Sequence, residues 1–198
     1  MRVVSGELRG RTLRTPPGRQ IRPTQGHVRQ VLFDILGSAI TGARVLDFFA
    51  GVGALGIEAL SRGAADACFV ERDPIVLRYL RENLEELGLA ERGRVLGVSV
   101  EVACRILESE PEGFRWIVAD PPYHLEPEGW VRRATRGGPG VILAPEGTLI
   151  LETSRRQAAA EAIGRLRRFR SHTVGETVLD FYGWEGTDGT KGNLSGDL

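Results

Sequence analysis

At 198 residues and 41% hydrophobic, the chain is sized for one domain with a full core, and no apolar run approaches the roughly 18–20 residues of a membrane span. Its two cysteines, Cys68 and Cys104, form no C-x-x-C pair and its three histidines are scattered, a pattern that excludes a disulfide framework or a zinc cluster and predicts no metal. Formal net charge is zero, which by itself argues against a nucleic-acid partner, but the charge is unevenly spread: residues 1–30 hold seven arginines against one acid, Glu7.

The opening Met1-Arg2-Val3-Val4-Ser5-Gly6 has no signal-peptide apolar region, so the sequence predicts a soluble cytoplasmic protein. Residues 2–14 alternate around Glu7-Leu8-Arg9-Gly10 and read as a β-hairpin. A Pro- and Gly-rich loop follows over 15–24. Thr24 is placed to cap a helix, whose apolar spacing runs through Val28, Val31, Leu32, Ile35, Leu36, Ala39 and Ile40.

From residue 44 strands and helices alternate. Strands are expected over 44–48, 67–71, 94–98, 114–120 and 148–152. Helices are expected over 53–62, from Pro74 to just before Gly88, and over about 100–108. This alternation defines an α/β domain with a parallel sheet and helices on both faces. Residues 177–184 read as an antiparallel closing strand. The Gly-, Asp- and Thr-rich stretch 185–198 has almost nothing to bury and reads as a polar tail. The chain thus divides into a basic hairpin and arm (1–24), a catalytic domain (25–184) and the tail (185–198).

The first strand runs into Asp47-Phe48-Phe49-Ala50-Gly51-Val52-Gly53-Ala54-Leu55-Gly56. Glycines let a ligand approach the backbone, and the helix start offers unpaired N–H groups. Gly51, Gly53 and Gly56 also satisfy G-x-G-x-x-G, the dinucleotide pattern. Asp47 opposes that reading, because a carboxylate four residues before the first glycine repels a pyrophosphate. It suits the cationic amino and sulfonium groups of S-adenosylmethionine. Glu71, at the end of the second strand, stands where an acid accepts both ribose hydroxyls.

Asp120-Pro121-Pro122-Tyr123 ends the fourth strand, beside the glycine loop in such a fold. The prolines rigidify the backbone and present the carbonyl ahead of them as an acceptor. Asp120 adds a second acceptor and Tyr123 a stacking face. Two acceptors on an aromatic exocyclic amine localise its lone pair and stabilise the positive charge that develops on alkylation. A base inside a helix must first be flipped out.

Over residues 1–183 the sequence resembles the RsmD family, which methylates N2 of a guanine in bacterial small-subunit ribosomal RNA. The matching pieces are Gly6-Glu7-Leu8-Arg9-Gly10-Arg11, Arg22-Pro23-Thr24 with Val28-Arg29 and Leu32-Phe33, Asp47 to Gly51, Gly53 to Ala64, Glu71, Asn83 and Asp120 to Tyr123. The resemblance implies a class I (Rossmann-like) methyltransferase with a seven-stranded sheet in the order 3-2-1-4-5-7-6, its last strand antiparallel. It implies S-adenosylmethionine as cofactor, held by Asp47, Phe48, Ala50, Gly51, Gly53, Glu71, Arg72 and Ser99, with Asp120, Pro121, Pro122 and Tyr123 at the reacting centre. Ser99 stands where the family tends to carry an aspartate for the adenine amino group. The implied partner is small-subunit ribosomal RNA or a 30S assembly intermediate, gripped by a monomer through Arg9, Arg11, Arg22, Thr24 and Arg29. N6-adenine methylation of RNA or DNA and a non-catalytic RNA-binding assembly factor remain open alternatives, with a nicotinamide dehydrogenase more distant.

Overall fold

In the computed structural model, residues 1–17, 25–122, 127–139, 141–157 and 160–186 are described. Arg22, Thr24 and Tyr123, and the tail from residue 187 onward, lie outside them. The first helix, α1 (Gln25–Leu36), ends where Gly37 takes φ 53°, so the expected helix finishes as a 3-10 turn, Gly37–Ile40.

The chain then alternates β1 (Arg44–Phe48), α2 (Ala54–Ser61), β2 (Asp66–Val70), α3 (Pro74–Glu86), β3 (Gly93–Leu96), α4 (Val100–Leu107), β4 (Phe114–Ala119) and α5 (Pro127–Ala134). Local chemistry sets several boundaries. Asp73 accepts hydrogen bonds from the Ile75 and Val76 amides at 2.9 and 3.3 Å, and Pro74 follows at the first helical position. Gly88 closes the same helix at φ 69°.

β1 pairs in parallel with β2 and β4, β2 with β3, and β4 with β5 (Leu143–Ser154). β6 (Ala162–Ile163), β7 (Leu166–Val174) and β8 (Thr177–Trp184) complete the sheet, with β8 antiparallel to β5 and β7. The order is β3-β2-β1-β4-β5-β8-β7-β6. The first seven positions follow the expected order. The sheet has eight strands rather than seven because two residues, Ala162 and Ile163, pair at the edge of β7.

Two apolar layers cover the sheet. One joins α1, α2 and α3 through Leu32, Phe33, Ile57, Leu60, Leu80 and Leu84 to Phe69, Trp116 and Phe181. The other joins α4 and α5 through Ala103, Leu107, Trp130 and Val131 to Phe48, Ile117 and Tyr182. Each fully buried large side chain contributes roughly 1.5–3 kcal/mol relative to exposure. Among the described residues no helix is long and apolar enough to cross a membrane.

The N-terminal segment forms one antiparallel bridge, Arg2–Thr12, and no strand ladder. Backbone bonds cross the segment from the Val3 amide to the Arg11 carbonyl at 3.0 Å, from the Gly10 amide to the Val3 carbonyl at 2.9 Å and from the Leu13 amide to the Met1 carbonyl at 2.8 Å, and further bonds dock it on α2. The Val4 and Ser5 amides each donate to the Glu58 carboxylate at 2.8 Å, and the Leu8 amide donates to the Ser61 hydroxyl at 3.0 Å. Val3 and Leu13 are buried in the same layer as α1 and α2.

Candidate active site

The strand order reverses between β1 and β4, opening the sheet at the carboxyl ends of those strands. Three carboxylates gather there, on Asp47 of β1, Glu71 after β2 and Asp120 after β4.

Asp47 is 1% exposed. Its Oδ2 accepts from the Gly56 amide at 2.9 Å, inside the first turn of α2. Its Oδ1 is buried with no hydrogen-bond partner among the described residues. Burial pushes its carboxyl up to about 7; the Gly56 amide opposes that shift, and the neighbouring charges of Asp120 and Glu71 add to it. A buried acceptor left unmatched costs about 1–3 kcal/mol, so its presence at a cleft points to a missing donor.

Glu71 pins the loop from the other side. Its Oε2 accepts from the Gly51 amide at 3.0 Å and its Oε1 from the Arg72 and Asp73 amides at 2.7 and 2.8 Å. Gly51 takes φ 57°, and a side chain built there would point into open space, so the loop is bare toward the cleft. At Gly56 an added Cβ would lie 2.3 Å from Phe69 Cε1, far inside contact distance; this glycine serves helix–sheet packing. Asn83 of α3 fixes the loop from below, donating to the Val52 carbonyl at 3.1 Å while accepting from the Arg14 amide at 2.7 Å.

Sequence reasoning missed Phe49. It is the single non-glycine residue with positive φ among the described residues, at 62°, a conformation that costs on the order of 1–3 kcal/mol. Its half-buried ring meets the edge of Trp130 at 5.6 Å, as does the ring of Phe48. Trp130 lies on α5, which follows Asp120-Pro121-Pro122 in the chain, and packs α5 against the glycine loop through these two rings. Its Nε1 is the other buried side-chain polar atom without a partner among the described residues. The local signal for Phe49 was its place immediately before Ala-Gly in a strand-to-helix turn. The side chain of Phe48 is fully buried, so any contact it makes in the cleft is through backbone.

The other predicted positions divide. Ala50 donates its amide to the Val70 carbonyl at 3.0 Å, and Gly53 takes φ 87° at the start of α2, so both lie in the loop. Pro121 is buried and Pro122 exposed beside Asp120. Arg72 is exposed, with its backbone on Glu71. Ser99 begins α4, and its hydroxyl bonds the Glu101 carboxylate and holds it below the usual carboxylate range.

Arg9 is exposed, and Arg11 donates to the Glu86 carbonyl at 3.2 Å. Arg29 is elsewhere. It is 2% exposed and ion-paired with Glu58 at 3.2 Å, and it also donates to the Arg2 carbonyl. Its charge is spent inside the fold, which removes it from the exposed surface. Arg14 is likewise paired with Glu82 and Glu86, so the arm presents less free positive charge than its composition promised.

A mostly parallel sheet with this strand order, a bare glycine loop after β1, an acid after β2 and Asp-Pro-Pro after β4 defines a Rossmann-like methyltransferase architecture. The structure overlays on one described as "Putative methyltransferase yhhF from Escherichia coli" with a TM-score of 0.79 and 32% identity, covering 94% of this chain and 99% of that one. The chain belongs to the RsmD family: a family profile described as "Conserved hypothetical protein 95" matches residues 1–183. It is 38% identical over 141 residues to "Ribosomal RNA small subunit methyltransferase D" of Escherichia coli strain K12, covering 66% of this chain and 69% of that protein. It is 35% identical over 182 residues to "Putative rRNA methyltransferase YlbH" of Bacillus subtilis, covering 92% and 98% respectively.

Proposed function

We propose that this protein transfers a methyl group from S-adenosylmethionine to the exocyclic N2 amine of a guanine in small-subunit ribosomal RNA. The observation that carries the reading is the convergence of Asp120-Pro121-Pro122 with the Asp47–Glu71 glycine loop at the switch point of the sheet. The reading includes a monomeric cytoplasmic enzyme acting on the RNA, free or within an assembling 30S particle.

The residues fit that cofactor. The unmatched Oδ1 of Asp47 suits a cationic donor, the open space over Gly51 suits a ligand laid on backbone, and a carboxylate oxygen already accepting one amide keeps a second lone pair for a hydroxyl. When bound, S-adenosylmethionine supplies an electrophilic methyl group on a sulfonium. Asp47 and Glu71 hold its amino-acid and ribose ends. Asp120 accepts an N–H of the target amine, localises the nitrogen lone pair and stabilises the positive charge that appears there. Tyr123 follows directly in sequence and is assigned the stacking face. Arg9 and Arg11, with Arg22 and Thr24 in sequence, are assigned to RNA phosphates.

The experiment is methyl transfer from labelled S-adenosylmethionine to unmodified small-subunit ribosomal RNA and to 30S particles, followed by nucleoside analysis. N2-methylguanosine is expected. N6-methyladenosine would replace the guanine reading, and no methylated product would leave only an RNA-binding role.

Asp47 gives a pH signature. Between about pH 4, the unfolded value for aspartate, and about 7, the folded protein holds a proton that the unfolded chain has lost. The folded state therefore loses stability as pH rises through that window, and Asp47→Asn should flatten the loss. A cationic ligand favours the ionised form, so cofactor binding at about pH 6.5 should release a proton and strengthen as pH rises toward 7. Calorimetry in buffers of different ionisation enthalpy reads this directly. Proton release equal in wild type and Asp47→Asn would show that Asp47 does not face the cofactor.

A further inference from the structure

The three carboxylates of the cleft repel a polyanion, so the affinity for RNA must come from cations around its rim. The arm lies against α2 and α3, on the β1–β2 side of the switch point. On the opposite side, β5 ends at Ser154 in a turn that carries Arg155 and Arg156. The turn is firmly held. The Gln157 amide donates to the Ser154 carbonyl at 2.8 Å and the Arg156 amide to the Ser154 hydroxyl at 3.3 Å. The Arg155 amide donates at 2.8 Å to the Glu176 carbonyl, between β7 and β8.

Arg155 and Arg156 are exposed, and among the described residues neither makes an ion pair. Neighbouring arginines are ion-paired, Arg167 with the exposed Glu185 and Arg168 with the fully buried Asp180. Residues 155–172 hold six arginines against one acid, Glu161, so this flank repeats the charge bias of the N-terminal arm; Glu152 and Glu176 are the acids beside the turn. Ala119 of β4 pairs with Leu151 of β5, so Asp120 and Arg155 leave the same edge of adjacent parallel strands. At about 3.3 Å per residue, the turn stands roughly 10 Å beyond Asp120 along the strand direction.

We infer that Arg155 and Arg156 form a second phosphate-gripping element, receiving the RNA backbone on the β5 side of the target base while the arm holds the other side. This rests on the RNA methyltransferase reading above. Arginine forks bind phosphate bidentately, and a rigid turn loses little entropy in presenting them.

The test uses the full chain and in vitro transcribed small-subunit ribosomal RNA, with affinity measured at several salt concentrations. Arg155→Ala with Arg156→Ala should weaken binding about tenfold or more and flatten the slope of log affinity against log salt by about 1.4, two contacts at about 0.7 each. Cofactor affinity and thermal unfolding should stay at the wild-type level, and the double lysine variant should restore the slope. Wild-type affinity and slope in the double alanine variant, while the wild type methylates the same RNA, would overturn the inference alone. A wild type that neither binds nor methylates this RNA or unmodified 30S particles would bring down both readings.

Discussion

Asp120→Ala is expected to lower kcat by about 10²–10³-fold, some 3–4 kcal/mol of transition-state stabilisation, and to change cofactor affinity by less than about threefold. The asymmetry follows from where charge appears. In the ground state the target nitrogen is neutral and its lone pair is delocalised into the ring, so a carboxylate gains little by touching it. As the nitrogen is alkylated it becomes cationic, and an acceptor already fixed beside two prolines interacts most strongly at that moment. Single-turnover methyl transfer, paired with calorimetric cofactor binding, separates the two effects. Asp120 also raises the Asp47 carboxyl through its charge, so the variant should move the midpoint of cofactor-linked proton release to lower pH. Loss of turnover with an unmoved midpoint would mean that the two carboxylates do not share the cleft. Turnover within about fivefold of wild type would remove Asp120 from the reaction.

How legible the fold was depended on which side chains face the core. β1 and β8 occur over the residues read from sequence, because their runs are buried and bounded by turn residues. β5 begins at Leu143, five residues ahead of the expected Thr148. Pro145-Glu146-Gly147 interrupts its apolar run, and the pairing jumps from Phe114–Leu143 to Trp116–Thr148 across that interruption. α5 has only Trp130, Val131 and Ala134 to bury and contains Gly129, too faint a period to read alone. β7 is Leu-Arg-Arg-Phe-Arg-Ser-His-Thr-Val, with arginines at Arg167, Arg168 and Arg170 that break apolar alternation. Pairing with β8 and the Arg168–Asp180 contact hold it in the sheet.

In the cleft, Asp47, Glu71 and Asp120 were readable because motif spacing places each at the end of a known strand. Phe49 and Trp130 were not, because their meeting depends on a helix that the sequence did not announce. Arg29 misled for a related reason: an arginine on a helix looks like surface until its buried partner is known. That partner, Glu58, lies within the glycine-loop helix and had no visible role before the arm was seen folded over it.

The second large effect falls on Glu58. Glu58→Ala should destabilise the protein by about 3–5 kcal/mol, because it strands one buried charge and several buried donors at once. Glu58 is fully buried on α2. Oε2 accepts from the Val4 amide and from Arg29 Nε; Oε1 accepts from the Ser5 amide and from Arg62 Nε at 3.0 Å. Removing the carboxylate leaves Arg29 buried with the Arg2 carbonyl and Met1 Sδ as its remaining hydrogen-bond partners among the described residues. Burial already holds the Arg29 guanidinium below its usual value, and Glu58 is the first group opposing that shift. Arg62 suffers less, since it also pairs with Asp34 at 3.1 Å and lies over the Phe33 ring. For a chain of this length the loss corresponds to a fall in Tm of roughly 6–20 °C. Glu58→Gln keeps the shape and one acceptor oxygen, so it should lie between wild type and alanine. Urea denaturation gives the energies, and hydrogen exchange at the Val4 and Ser5 amides shows whether the arm has lifted. A lifted arm no longer holds Arg9 and Arg11 in place over α2 and α3, so RNA affinity should fall while cofactor affinity holds. If Glu58→Ala costs under about 1 kcal/mol and both amides stay protected, the arm is anchored by its apolar residues Val3 and Leu13 and not by this carboxylate.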